Sequence, residues 1–202
     1  MSAASSAIIQ HIMRSRDAGR AMLAYFYFDF GDEEKQNVRN AVISLLIQLS
    51  AYSKPCCDII YRLYSAHGKG TEQPSNGILV DRLKEMLAVT AQSPIFIVMD
   101  ALDECPTYSG SPNPREAVLN ILKDLVRLHL PNLRLCLTGR PEIDIQTVLS
   151  PLATHQISLH EETGHKIAIA NYVSSVVSRM RNWRDEDKEM VVDVLSERAD
   201  GT

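Results

Sequence analysis

The segment IFIVMDALDEC, residues 95–105, constrains the fold of this chain more than any other stretch. Five apolar residues are followed at once by three carboxylates, Asp100, Asp103 and Glu104. A short apolar run bounded by polar residues is typical of a strand that is buried on both faces of a sheet. The acids could be no more than the loop that returns such a strand to water, or they could form a functional site.

A second segment has the same design. LRLCLTGRP, residues 133–141, is another apolar run, and it ends in a polar turn from Thr138 to Arg140. Ligands of parallel sheets bind at the carboxyl ends of the strands. If the two strands are neighbours, the acids that follow the first face a hydroxyl and a guanidinium that follow the second. A core strand with an ordinary loop does not account for this second polar cluster.

Apolar spacing along the rest of the chain alternates between the strand period and the helix period. The strands are predicted at about 21–30, 94–100, 133–138 and 155–159. The helices are predicted at about 5–16, 37–52, 55–66, 79–87, 118–125, 142–149, 169–180 and 185–199. Strands that alternate with helices of this length form a parallel sheet covered on both faces, so the predicted fold class is α/β.

The polar residues at the two strand ends suit phosphate chemistry. Carboxylates can hold a hydrated Mg²⁺ ion and polarise a water molecule. Thr and Arg side chains can bind a terminal phosphate. The two clusters together therefore predict a nucleoside triphosphatase.

Composition argues against several other classes. The chain has 21 basic and 25 acidic residues and a net charge of −4, so no basic surface favours nucleic acid. Its four cysteines form no CxxC pair, which indicates neither a disulfide framework nor a zinc site. No stretch approaches the roughly 18 apolar residues of a membrane span, and the start does not read as a secretion signal. We expect a cytoplasmic protein without a membrane partner.

The two segments closely resemble the NACHT domains of signal-transducing P-loop NTPases, the STAND class. The similarity is strongest to the NACHT domains of fungal NOD-like receptors and to the nephrocystin-type N-terminal domain. It extends over YFYFDF, AVISLLIQLS and LSERADG, and so over nearly the whole chain. The resemblance implies a three-layer P-loop NTPase-like core over residues 1–160 and the start of a C-terminal helical region over 161–202. It also implies a nucleotide-binding switch in innate-immune signalling.

The resemblance also implies a role for each polar residue of the two segments. Asp100 would be the Walker B acid that supports Mg²⁺. Asp103 and Glu104 would be the catalytic acids that position or activate water. Thr138 and Arg140 would bind the nucleotide, ATP or GTP, as a sensor of its terminal phosphate.

One part of the family pattern is missing from the 202 residues. NACHT domains open with a strand and a phosphate-binding loop of sequence GxxxxGK[ST], whose backbone N–H groups cradle the phosphates. This sequence contains no such motif, and its first residues, MSAASSAIIQHI, resemble the helix that follows the loop. We therefore expect weak nucleotide binding and no useful hydrolysis by this chain.

Three functions remain open at this point. The chain could be the fragment of a NACHT switch whose intact parent binds and hydrolyses ATP or GTP. It could be a non-catalytic remnant that serves as an assembly module, pairing with itself or with other NACHT proteins. It could also be an unrelated doubly wound hydrolase with Asp103 or Glu104 as the base, although no GxSxG motif supports that.

The missing strand carries a structural prediction. By family analogy it would lie between the strands at 133–138 and 155–159. Its absence should leave a gap or a forced pairing there. Unpaired backbone groups at such a gap would invite self-association.

Overall fold

The computed structural model describes residues 3–90, 93–108, 112–158, 174–178 and 184–198. The chain divides into two compact units, Met1–Leu152 and Ala153–Thr202. The first unit contains, in chain order, α1 (Ala3–Asp17), β1 (Met22–Tyr27), α2 (Val38–Ser50), α3 (Lys54–Ala66), α4 (Asn76–Val89), β2 (Ile95–Asp100), α5 (Pro114–Arg127), β3 (Leu133–Leu137) and α6 (Ile143–Leu149). The second unit contains α7 (Asp185–Arg198).

The three strands form one parallel sheet in the order β1-β2-β3. Ile95 of β2 pairs with Met22 on one side and with Leu133 on the other. Because β2 is central, its carboxyl end is flanked by the ends of both neighbours. This confirms the predicted α/β class with a parallel sheet and places the two polar segments side by side.

The two faces of the sheet are covered by different helices, as the alternation of side chains along a strand requires. One face packs with residues of α2 to α5 in the larger core, and its most buried strand residues are Met22, Ala24, Ile95, Ile97 and Met99. The other face packs against α1, whose Ile9 and Ile12 contact Leu23 and Val98. Each fully buried aliphatic side chain contributes roughly 1.5–3 kcal/mol.

Four of the helices begin at residues whose side chains cap them. Asn37, Ser53, Ser75 and Asn113 each accept a hydrogen bond from a backbone N–H of the first turn. Such a cap contributes about 1 kcal/mol. Helix α5 also has Pro114 in its first turn, where a missing N–H is harmless.

The predicted strand at 155–159 is wrong over the part that the structure describes. Residues 155–158 are exposed and form no strand, and Ile157 is 73% exposed. An alternating pattern makes a strand only where a neighbouring strand supplies hydrogen-bond partners and a buried face, which sequence spacing does not reveal. Residue 159 and most of the predicted helix at 169–180 lie outside the described residues, although residues 174–177 are helical.

Candidate functional site

Asp100 lies at the carboxyl end of the central strand and is 1% exposed. The hydroxyl of Ser5 donates a hydrogen bond to its Oδ1 atom at 2.6 Å, and the hydroxyl of Thr138 donates to the same atom at 2.5 Å. A buried carboxylate is costly unless hydrogen bonds compensate for the lost water. These two hydroxyls, from segments far apart in sequence, provide part of that compensation.

Ser5 comes from the first turn of α1, so the amino-terminal end of this helix lies at the carboxyl edge of the sheet. Backbone N–H groups at a helix start carry a partial positive charge that favours a nearby anion. The position of α1 therefore stabilises the negative charge of Asp100.

Thr138 follows β3 and joins its end to the end of β2. Its N–H donates to the carbonyl oxygen of Met99 at 3.0 Å, and its own carbonyl oxygen accepts from the N–H of Leu102 at 3.0 Å. Its hydroxyl accepts from the N–H of Ala101 at 3.3 Å. Ala101 has a left-handed conformation with φ of 57°. This residue turns the chain so that the acids after β2 stay close to the turn after β3.

Asp103 and Arg140 meet across the same edge. Asp103 accepts a hydrogen bond from the N–H of Arg140 at 3.1 Å, and Arg140 Nε lies 3.6 Å from Asp103 Oδ2. The side chain of Arg140 is 74% exposed, whereas that of Asp103 is 13% exposed. Because the guanidinium lies largely in solvent, its ion pair with Asp103 is weak, and it can leave the carboxylate at low cost.

Gly139 permits this approach of the two turns. A Cβ atom at this position would lie 3.2 Å from Oδ1 of Asp103 and 3.3 Å from the backbone nitrogen of Leu102. Both distances are tighter than ordinary contacts, and one partner is backbone. A residue without a side chain therefore suits the turn formed by Thr138, Gly139 and Arg140, which we call the TGR turn.

Glu104 reaches the third loop of the edge, the loop after β1. Its Oε2 atom accepts a hydrogen bond from the N–H of Phe30 at 3.2 Å. The carbonyl oxygen of Phe30 accepts from the side-chain amide of Gln36. Glu104 thus points towards the β1 side of the edge, while Asp103 faces the β3 side.

Arg115 was missed by sequence reasoning. It lies in the first turn of α5, and its guanidinium donates to the carbonyl oxygens of Asp103 and Cys105 at 2.5 Å and 2.9 Å. It also lies 3.4 Å from a carboxylate oxygen of Asp144 in α6. A cation in the first turn of a helix is unfavourable for the helix dipole, and that was the available signal that its partners lie elsewhere. Ser5, a hydroxyl ahead of an apolar helical stripe, gave no comparable signal.

The two cysteines near the edge are not activated. Burial raises the pKa of the Cys105 thiol to about 12, with the charge of Arg115 acting in the opposite direction. Burial, and secondarily the charge of Asp100, raise the pKa of Cys136. Both side chains are therefore thiols at neutral pH, which argues against nucleophilic cysteine chemistry at this edge.

The oxygen atoms at the end of β2 are of the kind that Mg²⁺ prefers: one carboxylate and the hydroxyls of Ser5 and Thr138. Within the described ranges, no three or more His, Cys, Asp or Glu side chains are grouped so that they could hold a metal ion by themselves. One carboxylate and two hydroxyls could hold an ion only if it kept several of its water molecules, as Mg²⁺ usually does.

The structure brings together four of the five predicted site residues in two pairs, Asp100 with Thr138 and Asp103 with Arg140. It directs the fifth, Glu104, to the neighbouring loop. The clustering of the acids with the TGR turn is thus observed. The metal, catalytic and sensor roles stay predictions.

The fold and this edge define an α/β protein with a parallel sheet and a polar site at the carboxyl ends of its strands. The sequence profile of the nephrocystin 3 N-terminal family matches residues 2–140, which include both polar segments. The chain belongs to that family. Searches of the curated proteins and of the solved structures gave no match. None of the helices in the described part of the chain is both long and apolar enough to cross a membrane.

Proposed function

We propose that this chain is part of a nucleotide-binding switch domain of the NACHT type, with the P-loop NTPase fold of the STAND class. The observation that supports it best is the Asp100 carboxylate, buried at the end of the central parallel strand and hydrogen-bonded by Ser5 and Thr138. Its oxygen donors suit hydrated Mg²⁺, which would neutralise the phosphates of ATP or GTP when bound.

The remaining site residues have roles that fit their positions. Arg140 is exposed and only weakly held by Asp103, so its planar guanidinium is able to bind a phosphate instead. The release of Arg140 would leave the carboxylate of Asp103 available to orient water. Glu104 instead accepts a hydrogen bond from the N–H of Phe30 and braces the loop after β1. We therefore assign water positioning to Asp103 before Glu104.

The 202 residues include oxygen ligands for the metal ion but lack the loop that would bind the triphosphate. They contain no GxxxxGK[ST] loop, whose charge-assisted hydrogen bonds would each contribute roughly 1.5–3 kcal/mol. The loss of three such bonds amounts to about 5 kcal/mol or more, which turns micromolar binding into millimolar binding or worse. We expect the 202-residue chain to bind Mg·ATP and Mg·GTP only weakly.

Calorimetric titration tests this function with two proteins. The 202-residue chain should bind Mg·ATP and Mg·GTP poorly, and a version preceded by a strand and a phosphate loop should bind in the micromolar range. In that longer version, Asp100→Asn should weaken binding at least about tenfold, equivalent to about 1.4 kcal/mol. Glu72→Gln also replaces a carboxylate by an amide, but at an exposed loop residue, so it is the matched control and should have no effect on binding. A dissociation constant below about 10 μM for the 202-residue chain would reveal a substitute phosphate site.

The sensor role of Arg140 is tested in the longer version. Arg140→Ala should weaken binding of the triphosphate more than binding of the diphosphate, because only the triphosphate has a terminal phosphate for the guanidinium to contact. Equal effects on both nucleotides would remove the sensor role.

A non-catalytic assembly module is the second candidate. It is favoured by the outer edge of β3, where the backbone groups of Leu135 and Leu137 have no hydrogen-bond partner among the described residues. Failure of the longer version to bind either nucleotide would reject the switch and leave this candidate.

A further inference from the structure

The short 3₁₀ turn Leu102–Glu104 carries two of the acids and satisfies only some of its own backbone groups. The N–H groups of Glu104 and Cys105 donate to carbonyl oxygens three residues earlier, at 2.9 Å and 3.2 Å. The carbonyl oxygens of Asp103 and Cys105 accept hydrogen bonds from Arg115 instead. A helical turn provides no partners for its last carbonyl groups, so a donor from another element completes this one.

Arg115 holds these two carbonyl groups with one planar guanidinium. Its Nη2 atom donates to Asp103 at 2.5 Å, and its Nε atom donates to Cys105 at 2.9 Å. The two acceptors flank Glu104, so the guanidinium fixes the backbone on both sides of that acid. A lysine has a single nitrogen and lacks this rigid pair of donors.

The position is unfavourable for a cation. The side chain of Arg115 is only 11% exposed, and it lies in the first turn of α5, where the helix dipole disfavours positive charge. Its partner carboxylate, Asp144 of α6, lies 3.4 Å away and is 47% exposed, so this ion pair is weak. The two carbonyl groups therefore supply most of the compensation for the buried charge. What the guanidinium adds at this cost is the fixed geometry of its two donors.

Arg115 itself is held by a rigid element. Helix α5 buries Val118, Leu122 and Leu125 in the larger core. The backbone N–H of Arg115 donates to the carbonyl oxygen of Pro106 at 3.0 Å, which fixes the start of the helix to the loop after the acids. A side chain supported in this way is suited to hold other functional groups in place.

We propose that Arg115 is a positioning residue for both acids, which it holds as one unit. Asp103 accepts a hydrogen bond from the N–H of Arg140 at 3.1 Å, and Glu104 accepts one from the N–H of Phe30 at 3.2 Å. These two backbone amides therefore report where the two carboxylates lie. The proposal deepens the proposed function and rests on it for the use of the acids in positioning water, but not for their placement.

Amide hydrogen exchange, followed by NMR on the 202-residue chain without nucleotide, measures this placement. Arg115→Met removes the guanidinium and should speed exchange at both Phe30 and Arg140 at least about fivefold, because both carboxylates lose their fixed positions. Asp103→Ala should speed exchange at Arg140 alone, and Glu104→Ala at Phe30 alone. These two variants calibrate the effect of losing each carboxylate.

Arg39→Met is the matched control. Arg39 also lies in the first turn of a helix, α2, and its guanidinium also donates to a backbone carbonyl oxygen, that of Pro74, at 2.6 Å. Its removal should leave exchange at Phe30 and Arg140 within about twofold of the wild type. Arg115→Lys keeps the charge without the paired donors, so it should give exchange rates between those of the wild type and Arg115→Met.

Unchanged exchange at both amides in Arg115→Met would overturn the proposal, and a change at only one of them would show that the acids are not held as a unit. Equal acceleration at the amides of all three strands would indicate a general loss of stability and would also overturn it. If Arg115→Met does not fold, Arg115→Lys decides, because wild-type exchange in that variant would show that the paired donors are not needed. No nucleotide is present, so failure of the longer version to bind ATP or GTP would leave these outcomes unchanged.

Discussion

Replacement of Thr138 by valine tests whether the hydroxyl holds the buried carboxylate in place. Valine has nearly the same shape as threonine, so the change removes the hydroxyl with little effect on packing. Asp100, 1% exposed, loses the donor at 2.5 Å, and the N–H of Ala101 loses its acceptor at 3.3 Å. A hydrogen bond to a charged group contributes about 1.5–3 kcal/mol and a neutral one about 1 kcal/mol. We expect Thr138→Val to lower the free energy of unfolding by about 2–4 kcal/mol.

Urea unfolding followed by far-UV circular dichroism measures this change. With a slope of about 2 kcal/mol per molar urea, the midpoint should fall by about 1–2 M. Thr138→Ser keeps the hydroxyl and should recover most of the loss. Thr147→Val is the matched control, because Thr147 is exposed on α6 and its hydroxyl bonds only a carbonyl of its own helix among the contacts described. It should change stability by less than about 0.5 kcal/mol.

The reasoning would be refuted if Thr138→Val and Thr147→Val destabilised the protein equally. Such a result would mean that the end of β2 relaxes enough to satisfy Asp100 without Thr138. The site would then be a flexible loop region, and its proposed role as a preorganised metal support would lose its structural basis.

Two further predictions concern the turns beside the site and the thiols. Gly139→Ala should destabilise the protein by about 1–3 kcal/mol in the same urea assay, because the Cβ of the alanine would press on the backbone of Leu102 and Asp103. Gly77→Ala is the contrasting control, because a Cβ there meets only Ser75 Oγ at 3.9 Å. The higher helix propensity of alanine should raise stability by about 0.5–1 kcal/mol. Equal losses of stability at both glycines would contradict the predicted clash at Gly139. Iodoacetamide at pH 8.5 should label the exposed Cys57 and spare Cys105, whose pKa is raised to about 12. Mass spectrometry measures the extent of labelling at each cysteine. Labelling of Cys105 at a rate comparable with Cys57 in the folded protein would contradict the burial of Cys105.

The raised pKa of Cys105 also has a consequence for stability. The folded state holds the thiol proton at a pH where the unfolded state, with a pKa near 9.0, has lost it. Stability is therefore unaffected below about pH 9 and falls as the pH rises from there towards about 12. Cys105→Ala should reduce this alkaline loss, which urea midpoints between pH 8 and 10.5 would measure.

The sequence by itself determined the elements whose patterns are local. The strands at Met22–Tyr27, Ile95–Asp100 and Leu133–Leu137 were predicted to within a few residues, because apolar runs between turn residues have few alternatives to a buried strand. The rule that parallel strands present their carboxyl ends at one edge was enough to group Asp100 with Thr138. The hydroxyl of Thr138 and the acids of the candidate site were therefore predicted from the sequence alone.

Only the tertiary structure decided which groups complete the site and which strands exist. Ser5 reaches Asp100 across 95 positions of sequence. Arg115 of α5 supports the turn that carries Asp103 and Glu104. Glu104 faces Phe30, a partner 74 positions away. Residues 155–158 have a strand-like pattern and yet form no strand. In each case the outcome depends on a hydrogen-bond partner brought near by the packing of distant elements, and local residue spacing does not encode where that partner lies.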